Sequence, residues 1–200
     1  VSKLFKQPAN AGEFELEVKK SRFLVRWQAI CEKGEFAPFL QHWRQRYPDA
    51  RHHCWAYCIG HPQNSLTQSC GDDSEPSGTA GRPMLSALVN KGVGNIAVVV
   101  IRYFGGTKLG AGGLIRAYSG AVSQAMDRAE FIEIKPRQRV VVCGDYALEQ
   151  PLRHWLSLNE GQMLDVSYAA RVAYHIELNE GPNDALEAWL GGRAAHLKRI

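Results

Sequence analysis

Ile96-Ala97-Val98-Val99-Val100-Ile101, followed by Arg102-Tyr103-Phe104-Gly105-Gly106-Thr107-Lys108-Leu109-Gly110-Ala111-Gly112-Gly113-Leu114-Ile115-Arg116-Ala117-Tyr118, is the most informative stretch of the chain. The first six residues are apolar at every position, as in a strand covered on both faces. From Gly113 onward, Leu114, Tyr118, Ala121, Val122, Ala125 and Ala129 mark one face of a long helix. Between strand and helix, Gly105, Gly106, Gly110, Gly112 and Gly113 remove side chains. Glycine allows positive φ and close approach of another group. Amides exposed at a helix start attract anions, and the helix dipole adds to the attraction. Lys108 and Arg116 add full positive charge, with Arg102 and Arg82 as further candidates. The segment is therefore expected to meet a phosphate or a polyanion. The plainer reading is tight turns and close helix–sheet packing. The spacing fits neither Gly-x-Gly-x-x-Gly nor Gly-x-x-x-x-Gly-Lys-Ser/Thr, so neither nucleotide fingerprint is met.

On the amino-terminal side, Glu13 to Val18 alternates and Arg22 to Ile30 is rich in bulky residues, so two strands are expected around a Lys19-Lys20-Ser21 turn. Phe36, Phe39, Leu40, Trp43 and Tyr47 fall at helical spacing, and Pro48-Asp49 ends that helix. His52 to Ile59 reads as a strand, residues 60 to 83 as loop, and Met84 to Val89 as a short helix. On the carboxy-terminal side, residues 131 to 136 read as a linker, closed by Pro136. Beyond it come a strand at Val140 to Cys143 and a helix striped by Leu148, Leu152, Trp155 and Leu156. Strands at Met163 to Tyr168 and around Val172 to Leu178 follow, then a helix with Ala185, Leu186, Trp189 and Leu190, then a last strand over Ala194 to Ile200. The order β-α-β-β-α-β is the ferredoxin-like plan. The fold expected is α+β in two domains, 1–132 carrying the glycine-rich loop and 133–200 ferredoxin-like. The alternation at 171 to 178 leaves one sheet face for solvent or a partner.

Two other segments hold candidate chemistry. In His52-His53-Cys54-Trp55-Ala56-Tyr57-Cys58, the residues His52, Cys54 and Cys58 share one strand face. Cys-x-x-x-Cys on a strand spreads its sulfurs over roughly 13 Å, too far for one ion, so no metal is expected. His53 lies on the other face, free to bind or pack. In Asp72-Asp73-Ser74-Glu75-Pro76-Ser77-Gly78-Thr79-Ala80-Gly81-Arg82-Pro83, the carboxylates Asp72, Asp73 and Glu75 and the hydroxyls Ser77 and Thr79 suit an ordered binding loop. The carboxylates could also hold Mg²⁺ beside a phosphate, serve as a base, or simply cap local amides. No Gly-x-Ser-x-Gly elbow is present, and Cys54 beside His53 is poorly arranged as a nucleophile–base pair. No catalytic residue and no cofactor is assigned.

These motifs, with Ala50-Arg51-His52-His53-Cys54-Trp55-Ala56-Tyr57 and Lys20-Ser21-Arg22-Phe23, closely resemble the bacterial YigZ branch of the IMPACT family over nearly the whole chain. The resemblance implies an amino-terminal domain like domain 2 of a small-subunit ribosomal protein. That fold is shared with elongation factor G domain IV and small-molecule kinases. It also implies a ferredoxin-like carboxy-terminal domain like elongation factor G domain V. Eukaryotic members of the family regulate translation under amino-acid starvation through a different partner-binding domain, which is not expected here, so only the tie to translation is expected to carry over.

Charge and composition bound the function. Hydrophobic residues make up 45% of the 200 residues, enough for a real core, and charged residues 22%. The net charge of +4 is uneven: residues 1–130 hold 16 Lys/Arg against 11 Asp/Glu, and residues 131–200 hold 8 against 9. The positive balance lies with the glycine-rich half, which permits nucleic-acid contact. No apolar run reaches the roughly 18 residues of a membrane span and no signal peptide is read, so no membrane partner is expected. Five scattered cysteines, Cys31, Cys54, Cys58, Cys70 and Cys143, suit reduced thiols in the cytoplasm. The expected function is non-catalytic binding of RNA or the ribosome, with a regulatory tie to translation. The alternative is an enzyme acting on a phosphorylated or nucleotide substrate through the glycine-rich and acidic loops. A phosphate-bearing ligand fits both, and the sequence names no protein partner.

Overall fold

The structure, a computed structural model, describes residues 4–63, 67–179, 184–193 and 195–199. It forms two compact units, one of Phe5–Ile134 and one of the chain from Lys135 onward. In the first, strands β1 (Phe5–Pro8), β2 (Gly12–Val18) and β3 (Ser21–Ala29) precede helix α1 (Phe36–Arg46). Strands β4 (His52–Cys58) and β5 (Gln68–Gly71), helix α2 (Gly81–Asn90), strand β6 (Ile96–Tyr103), helix α3 (Gly110–Arg128) and strand β7 (Phe131–Ile134) follow. An antiparallel sheet is ordered β2-β3-β6-β4-β5. Residues 96 to 101 of the central β6 are all fully buried, which is why every position is apolar. Ile96, Val98 and Val100 pack with Cys54, Leu88, Tyr118 and Val122 on the α2–α3 side. Ala97, Val99 and Ile101 pack with Phe39, Leu40 and Tyr57 on the α1 side.

Four elements of this unit, β5, α2 and the paired β1 and β7, differ from the sequence expectation. β5 lies in the stretch read as loop: it is a four-residue edge strand, half-buried throughout, so it has no alternation to show. α2 starts three residues before Met84, because Pro83 falls in the first turn, where no intrahelical bond is lost to its missing N–H. The linker expected over 131–136 is a strand in its first four residues: β7 pairs with β1 through Phe5↔Ile134 to Pro8↔Phe131, so the expected join at 132/133 falls inside a strand.

The second unit contains β8 (Arg137–Gly144), α4 (Glu149–Leu158), β9 (Gln162–Ser167), β10 (Val172–Asn179), α5 (Asp184–Leu190) and β11 (His196–Arg199). Its antiparallel sheet is ordered β11-β8-β10-β9, the ferredoxin-like arrangement. Val172, Tyr174, Ile176 and Leu178 alternate into a core with Leu148, Leu152, Leu156, Leu186 and Leu190. Ala194 and Ile200, the ends of the expected last strand, lie outside the described residues. No helix among the described residues is long and apolar enough to cross a membrane.

Candidate functional site

The chain leaves β6 at Tyr103 and enters α3 at Gly110 through an exposed loop. Gly106 and Gly110 hold φ of +87° and +71°, where side chains are disfavoured. Gly105 serves packing instead: a Cβ there would lie 2.0 Å from the Lys20 carbonyl carbon, and its amide donates to Ser21 Oγ at 3.1 Å. Gly112 is exposed, and a Cβ there would meet only the Arg116 guanidinium, at 3.5 Å. Gly106 and Gly110 thus serve backbone geometry, Gly105 serves packing and Gly112 is uncovered, while a Cβ on Gly113 would lie 3.0 Å from the Leu109 Cβ. The N-cap residue of α3, Leu109, makes no side-chain cap hydrogen bond, and among the described residues no other side chain is hydrogen-bonded to the first-turn amides.

Positive charge collects around this start. Lys108 and Arg116 are exposed, as are Arg82 and the Lys19-Lys20 tip of the β2–β3 hairpin. None of the five pairs with a carboxylate among the described residues. Both hairpin lysines carry positive φ, 48° and 65°, which the two-residue turn between Val18 and Ser21 requires. Two grooves flank α3. One, of about 350 Å³, is lined by Lys19, Leu109, Gly113 and Arg116. The other, of about 680 Å³, is lined by Gly78, Arg82, Ser86, Ile115 and Ser119. Phe104, 59% exposed, stands in the loop itself.

The neighbouring helix start is the opposite case. The Lys91–Asp127 ion pair joins the carboxy-terminal ends of α2 and α3, so the two helices run in the same direction. At the α2 start, Asp72 accepts hydrogen bonds from the amides of Gly78 (2.8 Å), Ala80 (3.0 Å) and Gly81 (2.8 Å). Burial pushes the Asp72 carboxyl up, but the three amides outweigh it and hold the group below its ordinary value. The protein's own carboxylate therefore occupies the anion position of α2.

The rest of the acidic loop is also internally engaged. Asp73 accepts from Arg44 at 2.7 Å and from the His53 amide at 2.7 Å. Glu75 is buried, accepting from Arg102 at 2.6 Å and from the Tyr118 hydroxyl at 2.8 Å. Thr79 is buried and donates to the Pro76 carbonyl at 2.6 Å, while Ser77 is exposed. The Cys54 thiol is hydrogen-bonded to the Asp72 carbonyl at 3.0 Å and to the Tyr118 hydroxyl at 3.3 Å, and burial raises its pKa far above neutrality. His53 is buried with its Nε2 unpartnered; burial lowers its pKa, and Asp73 opposes the shift.

The structure therefore brings Gly105, Gly106, Lys108, Gly110, Gly112, Gly113 and Arg116 into one exposed feature, with Arg82 on the groove beside it. It sets Arg102 apart, buried and paired, places Asp72, Asp73, Glu75 and Thr79 in a braced loop, and leaves His53 on β4, where its amide donates to Asp73. Sequence reasoning passed over Phe104, Lys19 and Lys20. The sequence marks the lysines only as a turn, and the contact of their hairpin with Gly105 spans more than eighty residues, leaving no local signal.

A two-unit α+β protein, with an α/β/α amino-terminal layer and a ferredoxin-like carboxy-terminal unit, is the class this architecture defines. The Impact N-terminal domain matches residues 19–126, and a domain of unknown function, DUF1949, matches residues 144–191. The chain is 48% identical over 184 residues to an IMPACT family member of Haemophilus influenzae, covering 92% of this chain and 89% of that one. It is 37% identical over 162 residues to the IMPACT family member YigZ of Escherichia coli, covering 81% and 79%. A crystal structure described as that of a hypothetical protein superposes with a TM-score of 0.75 at 32% identity, covering 100% of this chain and 98% of that one. The chain belongs to the IMPACT family.

Proposed function

We propose that the protein is a non-catalytic binder of nucleic acid, RNA or the ribosome, and that the glycine loop and the first turn of α3 are its phosphate-backbone contact. One contrast carries the reading. The α2 start is sealed by Asp72, whereas among the described residues no side chain caps the α3 start, and Lys108, Arg116 and the Lys19-Lys20 hairpin beside it have no carboxylate partners. Backbone amides, a helix dipole and cations that can release counterions are the ingredients of phosphate binding. The family resemblance adds the tie to translation.

The acidic loop supports binding over catalysis. Asp72, Asp73 and Glu75 spend their oxygens on amides, guanidinium groups and a tyrosine hydroxyl. A metal ion or a substrate proton would have to displace those contacts. Calorimetry with ATP–Mg²⁺ beside filter binding with ribosomal RNA fragments separates the two readings. Saturable RNA retention that falls with salt, without heat from ATP–Mg²⁺, is the expected result. Stoichiometric ATP–Mg²⁺ binding without RNA retention would overturn it.

A further inference from the structure

Phe104 is an exposed aromatic ring on an otherwise polar, cationic loop. It is not isolated from the core. The Arg102 guanidinium lies over the Phe104 ring at 6.0 Å and over the Phe23 ring at 5.6 Å. Phe23 is fully buried and packs edge-on against Tyr118 at 5.1 Å. Arg102 is 8% exposed, held by Glu75 at 2.6 Å, and its Nε has no hydrogen-bond partner. Glu75 is in turn fixed by Tyr118 at 2.8 Å. A layered series of contacts thus leads from the core through a buried guanidinium to a ring that ends in solvent. Arg102, itself held by Glu75, gives the Phe104 ring a fixed cationic neighbour at the outer reach of a cation–π contact, while the ring remains open to solvent.

The nearest chemistry is cationic. Lys108 and the α3 start follow Phe104 within six residues, and the Gly105 backbone rests on the Lys19-Lys20 hairpin. A flat π face beside phosphate-binding amides is the arrangement that unpaired bases use: the backbone lies in the charged groove and a base stacks on the ring. A duplex keeps its bases stacked on one another and offers no face to such a ring. We infer that Phe104 is a base-stacking platform and that the site selects single-stranded nucleic acid over duplex. The inference rests on the phosphate-binding reading above and names the form of its ligand.

The test uses the full chain and three probes. They are a single-stranded oligoadenylate RNA of about 12 nucleotides, within the span of such surfaces, an abasic oligomer with the same number of phosphates, and an RNA duplex of equal length. Phe104→Ala is expected to weaken oligoadenylate binding on the order of ten- to a hundred-fold, the usual effect of removing one base–aromatic stack. Binding of the abasic and duplex probes should stay within about two-fold, since phosphate contacts are kept. Phe104→Trp, which retains a π face, should restore the oligoadenylate affinity, and thermal melts of both variants should match the parent. The inference fails if Phe104→Ala weakens all three probes equally, weakens none, or if the parent chain binds oligoadenylate no better than the abasic oligomer. Lys108→Ala with Arg116→Ala separates this from the underlying reading. If that double variant weakens every probe while Phe104→Ala weakens none, phosphate binding stands and base stacking falls. If the double variant weakens none, the phosphate site itself falls.

Discussion

Glu75→Gln is the sharpest perturbation of the clamp that supports the loop. The substitution keeps the shape of the side chain and removes its charge. The side chains of Glu75 and Arg102 are 3% and 8% exposed, so water cannot replace the lost carboxylate. Removing one partner of a buried pair leaves an uncompensated charge and typically costs about 3–5 kcal/mol. The first unit spans Phe5–Ile134, a size at which each kcal/mol moves the melting temperature by about 3–5 °C. A drop of about 10–20 °C is expected, read by circular dichroism and checked by urea unfolding. Adding Arg102→Met should recover at least half of the loss, because an apolar pair of similar volume is often as stable as a buried ion pair. A loss below about 1 kcal/mol, or no recovery in the double variant, would refute the clamp. It would mean that Arg102 finds solvent or another partner once Glu75 is neutral.

Thiol labelling should be ordered by burial: a charged thiol reagent reacts with exposed Cys31 in the native protein, whereas Cys54 and Cys58, whose pKa burial raises (to about 11 for Cys58), react only on unfolding. Rapid native labelling of Cys54 would show that the acidic loop opens. Because burial lowers the pKa of His53 below its ordinary value near 6.5, the folded state favours the neutral imidazole. Its stabilising contribution is complete above the unfolded value and is lost as pH falls through the folded one. The urea midpoint should therefore decline below about pH 6.5, and His53→Gln should flatten that decline; identical profiles would contradict the assignment. Gly105→Ala drives a Cβ into the Lys20 backbone and should destabilise the first unit, while Gly112→Ala has room and should stabilise α3 by about 0.5–1 kcal/mol. Equal effects of the two, read from thermal melts, would contradict the division between packing and uncovered glycines.

The parts of this molecule that sequence discloses are those where burial imposes a local period. Residues 96 to 101 of β6 are apolar at every position because helices cover both faces there, and β10 alternates because one face of its sheet packs on α4 and α5. The glycine loop was visible because five glycines in nine residues have few other uses. β5 and the β1–β7 pair were not visible. Four-residue strands of mixed exposure are held by a partner's backbone, and that pairing writes nothing into side-chain pattern. The roles of Asp72 and Glu75 were hidden for a related reason. Asp72 reaches amides up to nine residues ahead, and Glu75 meets Arg102 and Tyr118 from 27 and 43 residues away. Composition showed three carboxylates, but only the fold shows that they are already engaged.

The most direct measurement of the central claim is the salt dependence of RNA affinity for the Lys108→Ala, Arg116→Ala double variant. Each lost contact with a single strand releases fewer counterions and lowers the slope of log K against log salt by about 0.7. Loss of both contacts should flatten the slope by about 1.4 and weaken binding most at low salt. The melting temperature should hardly change, since both side chains are exposed and unpaired among the described residues. An unchanged affinity and slope in a fully folded double variant would contradict the phosphate site and leave the glycines of the loop with packing alone.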